Sequence, residues 1–201
     1  MSKQTKLTIE GVLADLGKIG IRARSVDDLK YLSNEHRDAI PILMDYIKKL
    51  DNERDKEILV RALSKEGFEE VIPTLLNEFK KNEKDTLYKW AIGNTLEAIG
   101  TRREEFLEEM RELVLNKKHG KSRQMIVSAL GKSKDENVVP ILIKLLDDED
   151  VVGHALKALM EFRSDKLKHY FERFKDYKVA YIRNIAKKAL TQIEKKEATE
   201  L

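Results

Sequence analysis

Eleven polar, basic and aromatic residues recur at related positions along the chain and could bind an acidic ligand. Guanidinium and ammonium groups bind carboxylates and phosphates, and an aromatic ring beside an amide can pack against a nucleic-acid base or a partner side chain. The pattern predicts a binding surface made of Arg61, Lys89, Trp90, Asn94, Arg123, Gln124, His154, Lys157, Arg183, Asn184 and Lys188.

Arg123 is the strongest basic candidate, because Lys117, Lys118 and Lys121 precede it closely. Three alternatives stay open for this set. Basic side chains at these positions can instead bridge an acidic turn of their own or the next repeat, and Trp90 can instead belong to the core. His154 can likewise be a partly buried histidine that a carbonyl or carboxylate satisfies.

Several catalytic and cofactor-dependent chemistries lack the residues they need. The chain has no cysteine, and its four histidines include no pair at i, i+3 or i, i+4 spacing, so we expect no thiol chemistry and no metal site. The Gly120-Lys121-Ser122 sequence has Leu115 where a phosphate-binding loop needs a glycine. We therefore expect no catalytic residues and no cofactor.

The elements that carry the candidate residues are best seen in residues 138–159. Pro140 suits the first turn of a helix, and Val138, Ile141 and Leu145 follow on one face. An acidic turn follows, and a second helix with its own apolar face comes after it. The stretch predicts a pair of short antiparallel helices, neither of which can bury its apolar face alone.

The same pair of helices recurs along the chain. An Ala-Leu or Thr-Leu pair marks each second helix, and its leucines Leu63, Leu96, Leu130, Leu159 and Leu190 are 33, 34, 29 and 31 residues apart. Proline begins three of the first helices. A near-constant period of this size indicates stacked helical hairpins.

These motifs resemble the HEAT repeat, close to the armadillo type. The resemblance rests on Ile-Pro-x-Leu-Leu, an acidic turn, and Val-Arg-x-x-Ala-x-x-Ala-Leu, and it covers about residues 36–195. The segments KWAIGNTLEAIG, GKSRQMIVSALGK and DDEDVVGHALKAL are similar to bacterial HEAT-repeat proteins of unassigned function. The resemblance implies an all-α fold, a right-handed superhelix of about five hairpins whose second helices line a concave groove.

Residues 1–35 do not fit the repeat, and we expect them to form an amino-terminal helical cap. Ile9, Val12, Leu13 and Leu16 share one helical face, and Ser25 can cap a following helix with Asp28. Residues 36–201 are expected to form the repeat array as a single continuous domain.

The mildly basic charge of the chain permits binding to nucleic acid without arguing strongly for it. The net charge is +3, and residues 163–188 contain nine basic and three acidic residues, which could steer an acidic partner or simply solubilise the end of the array. We expect a non-catalytic scaffold that binds a protein, with nucleic acid as the alternative partner. No membrane-spanning segment is predicted, and a monomeric, cytoplasmic protein is the simplest expectation.

Overall fold

A computed structural model describes residues 8–81 and 86–199 of the chain. Over these residues the chain forms α-helices and short 3-10 helices, with no β-strand. It divides into two compact units, residues 1–100 and 101–201. The all-α fold built from helical hairpins is confirmed, whereas the single continuous array over residues 36–201 stays a prediction.

The first unit contains two hairpins preceded by another helix. Its helices are α1 Ile9–Lys18, α2 Ala39–Lys49, α3 Glu53–Ala62, α4 Ile72–Lys80 and α5 Leu87–Ile99. Helices α2 and α3 form the first hairpin, α4 and α5 form the second, and the two second helices, α3 and α5, pack side by side. Helix α1 packs against α2, where the Tyr46 hydroxyl donates a hydrogen bond of 2.8 Å to the Asp15 carboxylate.

The segment between α1 and α2 forms 3-10 helices, where the sequence predicts an ordinary helix after Ser25. The first of them spans Val26–Tyr31. The predicted cap is present, because the Ser25 amide donates to the Asp28 carboxylate at 3.2 Å. Buried Leu29 is part of the core of this unit. The tighter helix keeps this short segment against α3.

The second unit contains three hairpins. Its helices are α6 Glu104–Leu115, α7 Gln124–Ser133, α8 Val139–Lys144, α9 Val152–Met160, α10 Lys168–Glu172 and α11 Ala180–Thr199. The three hairpins are formed by α6 with α7, α8 with α9, and α10 with α11. The second helices α7, α9 and α11 form one layer in that order. Apolar side chains spaced as predicted fill the space between the layers, including Met110, Val114, Leu142, Ala155 and Leu159.

Helices α7 and α9 run parallel and approach each other closely. Near their amino ends the Gln124 amide donates to the Asp150 carbonyl oxygen at 2.7 Å. Near their carboxyl ends a methyl group built at Gly131 would lie 2.5 Å from Cβ of Ala158. Real carbon atoms do not approach so closely, so the absence of a side chain at Gly131 sets the spacing of the two helices.

Replacing Gly131 with alanine should therefore destabilise the protein, although alanine is the better helix former. We expect Gly131→Ala to lower the free energy of unfolding by about 1–3 kcal/mol, the usual cost of overpacking a core. Gly17→Ala is the matched control, because a methyl group at Gly17 meets no atom within 4 Å. It should be neutral or stabilise by about 0.4–1 kcal/mol. Urea unfolding of both variants measures the difference, and equal stabilities would contradict the close approach.

A buried carboxylate joins the two hairpins of the first unit. Glu78 on α4 accepts hydrogen bonds from Lys56 of α3 at 2.9 Å and from the Tyr88 hydroxyl of α5 at 3.0 Å, and it also pairs with Lys81. Burial raises the pKa of Glu78, but the bonds from Lys81, Lys56 and Tyr88 outweigh it and lower the pKa below its ordinary value. Glu78 is therefore charged in the folded protein.

Because its pKa is lower in the folded protein, Glu78 stabilises the fold above the ordinary glutamate pKa of 4.5, and this contribution is lost as the pH falls below it. We expect Glu78→Gln to be less stable at neutral pH by about 1–3 kcal/mol. The difference from wild type should shrink as the pH falls below 4.5. Chemical unfolding at several pH values measures it, and a difference independent of pH would assign no charge to Glu78.

Candidate functional site

Arg123, the basic residue favoured from sequence, lies in the interior with 0% of its surface exposed. Its Nη1 atom donates to the Val114 carbonyl oxygen at 2.9 Å and to the Asp148 carboxylate at 2.8 Å. Its Nε atom donates to the Gly120 carbonyl oxygen at 2.8 Å. The guanidinium thus joins the loop before α7 to the acidic turn before α9.

The burial of Arg123 corrects its assignment as a partner-binding residue, since a partner cannot reach it. Its neighbours Lys117, Lys118 and Lys121 are exposed, while Arg123 is turned inward. Burial raises the pKa of the Asp148 carboxyl, but the hydrogen bonds and charge of Arg123 outweigh it and lower the pKa below its ordinary value. Arg123 and Asp148 therefore form a buried ion pair between consecutive hairpins.

Loss of the Arg123 side chain should destabilise the fold. We expect Arg123→Ala to lower the free energy of unfolding by about 3–5 kcal/mol, because Asp148 would remain as a buried charge without its partner. Lys121→Ala, which removes an exposed cation two residues away, should change stability by less than about 0.5 kcal/mol. Thermal unfolding, monitored by circular dichroism, compares the two variants. A melting temperature of Arg123→Ala equal to that of wild type would show that the Arg123 side chain lies outside the core.

The basic candidates Lys89 and Arg183, and also Lys56 on α3, make contacts within their own unit. Lys89 is 0% exposed, with its Nζ atom 4.2 Å from the centroid of the Phe79 ring. Lys56 pairs with Glu78 at 2.9 Å. Arg183 is half-buried and donates to the carbonyl oxygens of Tyr177 and Lys178 at 2.7 and 3.3 Å. The burial of Lys89 removes it from the candidate surface as well.

The remaining candidates of the first unit are at its surface. Trp90 is 37% exposed, Asn94 is half-buried, and both lie on α5. Arg61 on the adjacent α3 is exposed and donates twice to the Glu57 carboxylate, at 2.7 and 2.9 Å. Leu87, three residues before Trp90, is 76% exposed and was missed by the sequence analysis. Its helical spacing from Trp90 is the signal that could have identified it.

The remaining candidates of the second unit lie on its second helices. Lys157, Asn184 and Lys188 are exposed, whereas Gln124 and His154 are half-buried. Gln124 uses its amide in the hydrogen bond to Asp150. Burial, together with the charge of Lys157, lowers the pKa of His154, so the imidazole is neutral at neutral pH.

Tyr181 is a further surface residue that the sequence analysis missed. It is 53% exposed at the start of α11, and a methyl group built at Gly153 of α9 would lie 3.1 Å from its Cε1 atom. The ring is thus supported by the glycine of the neighbouring helix while more than half of the residue faces solvent. We define the α9–α11 surface as the following residues of these two helices: His154, Lys157, Tyr181, Asn184 and Lys188.

Comparison with known proteins identifies the repeat. The family model for HEAT repeats matches residues 107–191. Residues 107–191 contain HEAT repeats. The matched residues extend from α6 into α11, and the HEAT-repeat family predicted from the sequence is confirmed. A search of curated proteins found no match.

HEAT repeats are generally protein-interaction scaffolds, and their helical fold is typically non-catalytic. Among the described residues, no helix has the length and apolar character needed to span a membrane. Over the same residues, histidines and carboxylates form no group of three or more that could hold a metal ion.

Proposed function

We propose that this HEAT-repeat protein is a non-catalytic scaffold that binds a protein partner through the exposed faces of its second helices. In the second unit this face is the α9–α11 surface. In the first unit it includes Trp90, Asn94 and Arg61. The monomeric state and cytoplasmic location expected from the sequence remain part of the proposal.

The observation that carries the proposal is the exposed ring of Tyr181 lying against Gly153. A tyrosine loses little conformational entropy when it is bound, and here the neighbouring helix already restricts it. Exposed aromatic side chains with such support are typical of interface hot spots. Asn184, one turn further along α11, can add a directional hydrogen bond to a partner.

Nucleic acid is the second candidate partner, because Lys157 and Lys188 are exposed on the same surface and residues 163–188 are strongly basic. Binding to a phosphate backbone releases counterions, so its affinity would fall steeply with added salt. A protein partner that packs against Tyr181 would be much less sensitive to salt. A steep salt dependence together with sensitivity to nuclease would therefore identify nucleic acid.

The proposal predicts that Tyr181→Ala weakens partner binding without unfolding the protein. Immobilised full chain is used to capture proteins from nuclease-treated lysate, and the affinity of the recovered protein is then measured by calorimetry. Loss of a hot-spot aromatic costs about 2 kcal/mol or more, which weakens binding about 30-fold. Tyr31→Ala is the control, because Tyr31 is an exposed tyrosine of the first unit.

Equal capture by both variants would contradict a role for the α9–α11 surface. Capture that occurs only when the nuclease is omitted, and that disappears at moderate salt, would favour the second candidate instead. Circular dichroism verifies that each variant keeps its helical content.

A further inference from the structure

The α9–α11 surface carries positive charge that no ion pair among the described residues neutralises. Within residues 8–81 and 86–199, neither Lys157 nor Lys188 has an ion-pair partner. The basic side chains of the α10 region differ, since Arg173 pairs with Asp147 at 2.8 Å and Lys175 pairs with Glu172 at 2.9 Å. The two free ammonium groups are available to anions from outside the chain.

The exposed ring and the lysines have a defined spacing. Tyr181, Asn184 and Lys188 follow at i, i+3 and i+7, so they share one face of α11, and Lys188 lies about 10.5 Å along the helix from Tyr181. Lys157 projects from the neighbouring α9, one turn after the glycine that supports the ring. The surface thus combines one apolar anchor with a cation on each of two adjacent helices.

The distribution of charge favours a polypeptide over nucleic acid. Glu161 is exposed directly after the last residue of α9, one turn beyond Lys157, so a carboxylate adjoins the cationic surface. A nucleic-acid backbone repeats its negative charge at every nucleotide and would approach Glu161 unfavourably. A polypeptide can place its carboxylates opposite the lysines alone and leave Glu161 uncontacted.

We propose that the α9–α11 surface binds an acidic segment of a protein partner. An apolar side chain of the segment packs on the exposed face of Tyr181, its carboxylates pair with Lys157 and Lys188, and its backbone hydrogen-bonds to the Asn184 amide. This inference rests on the proposed function and names the chemistry of the partner.

The test uses the full chain labelled with ¹⁵N and three probes. The first is a synthetic helical peptide with one leucine and two glutamates spaced two turns apart, the second has glutamine in place of both glutamates, and the third is single-stranded DNA. The acidic peptide should shift the backbone amide resonances of α9 and α11. The glutamine peptide should bind about tenfold more weakly, because charged contacts at an interface add to both affinity and orientation.

Charge-reversed variants assign the binding to the lysines. The double variant Lys157→Glu, Lys188→Glu should bind the acidic peptide at least tenfold more weakly than wild type. Lys144→Glu, Lys166→Glu is the matched control, since it changes the net charge equally at two exposed lysines outside the surface. It should bind nearly as well as wild type. The Tyr181→Ala variant should also lose binding, which separates the apolar anchor from the charges.

Four results would overturn the inference. Equal losses in the two double variants would show attraction by net charge, and equal binding of the two peptides would show that carboxylates are not recognised. Larger shifts of the same resonances by DNA would assign the surface to nucleic acid. The fourth result is that neither peptide shifts the resonances of α9 or α11, while Tyr181→Ala still weakens binding of a captured protein. The inference of an acidic segment would then be wrong, and the proposed function would be retained.

Discussion

The buried ion pair between Arg123 and Asp148 holds the second unit together at the point where two of its hairpins meet. The Arg123 guanidinium also donates hydrogen bonds to two backbone carbonyl oxygens. Together with Asp148 these acceptors offset the cost of burying its charge. Removal of either partner would leave a buried charge, which makes the position of α9 relative to α7 depend on this contact. Gly131 completes the arrangement at the other end of the same helices, where it allows α9 to approach.

The first unit also has a buried charge that joins consecutive hairpins, but it uses different residues. Glu78 lies between α3, α4 and α5 and accepts hydrogen bonds from Lys56 and Tyr88. In both units a buried charge joins consecutive hairpins, although the signs of the central residue are opposite. Short amphipathic helices gain most of their stability from packing, and a buried ion pair adds directional contacts to that packing.

We propose that binding occurs on the faces of the second helices that this packing leaves exposed. Arg123 and Lys89 are buried and cannot contact a partner. The residues that the second helices expose are Trp90 in the first unit, and Tyr181, Lys157 and Lys188 in the second. The exposed set is smaller than the eleven-residue surface predicted from sequence, and it includes a second aromatic residue, Tyr181. HEAT repeats generally act as protein-interaction scaffolds, and a supported aromatic ring beside free lysines is consistent with that use.

The sequence by itself determined the repeat, the helical hairpins and most of the core, because a helix records its buried face in the 3.6-residue spacing of its own apolar residues. It also identified the cap of Ser25 and the acidic turn, which are local signals. The sequence could not show whether the Arg123 side chain is buried or exposed, because its partner Asp148 is 25 residues away and the neighbouring lysines suggested an exposed cluster. Only the tertiary structure placed Arg123 and Lys89 inside and Tyr181 at the surface, since the environment of a long side chain depends on which helix packs beside it.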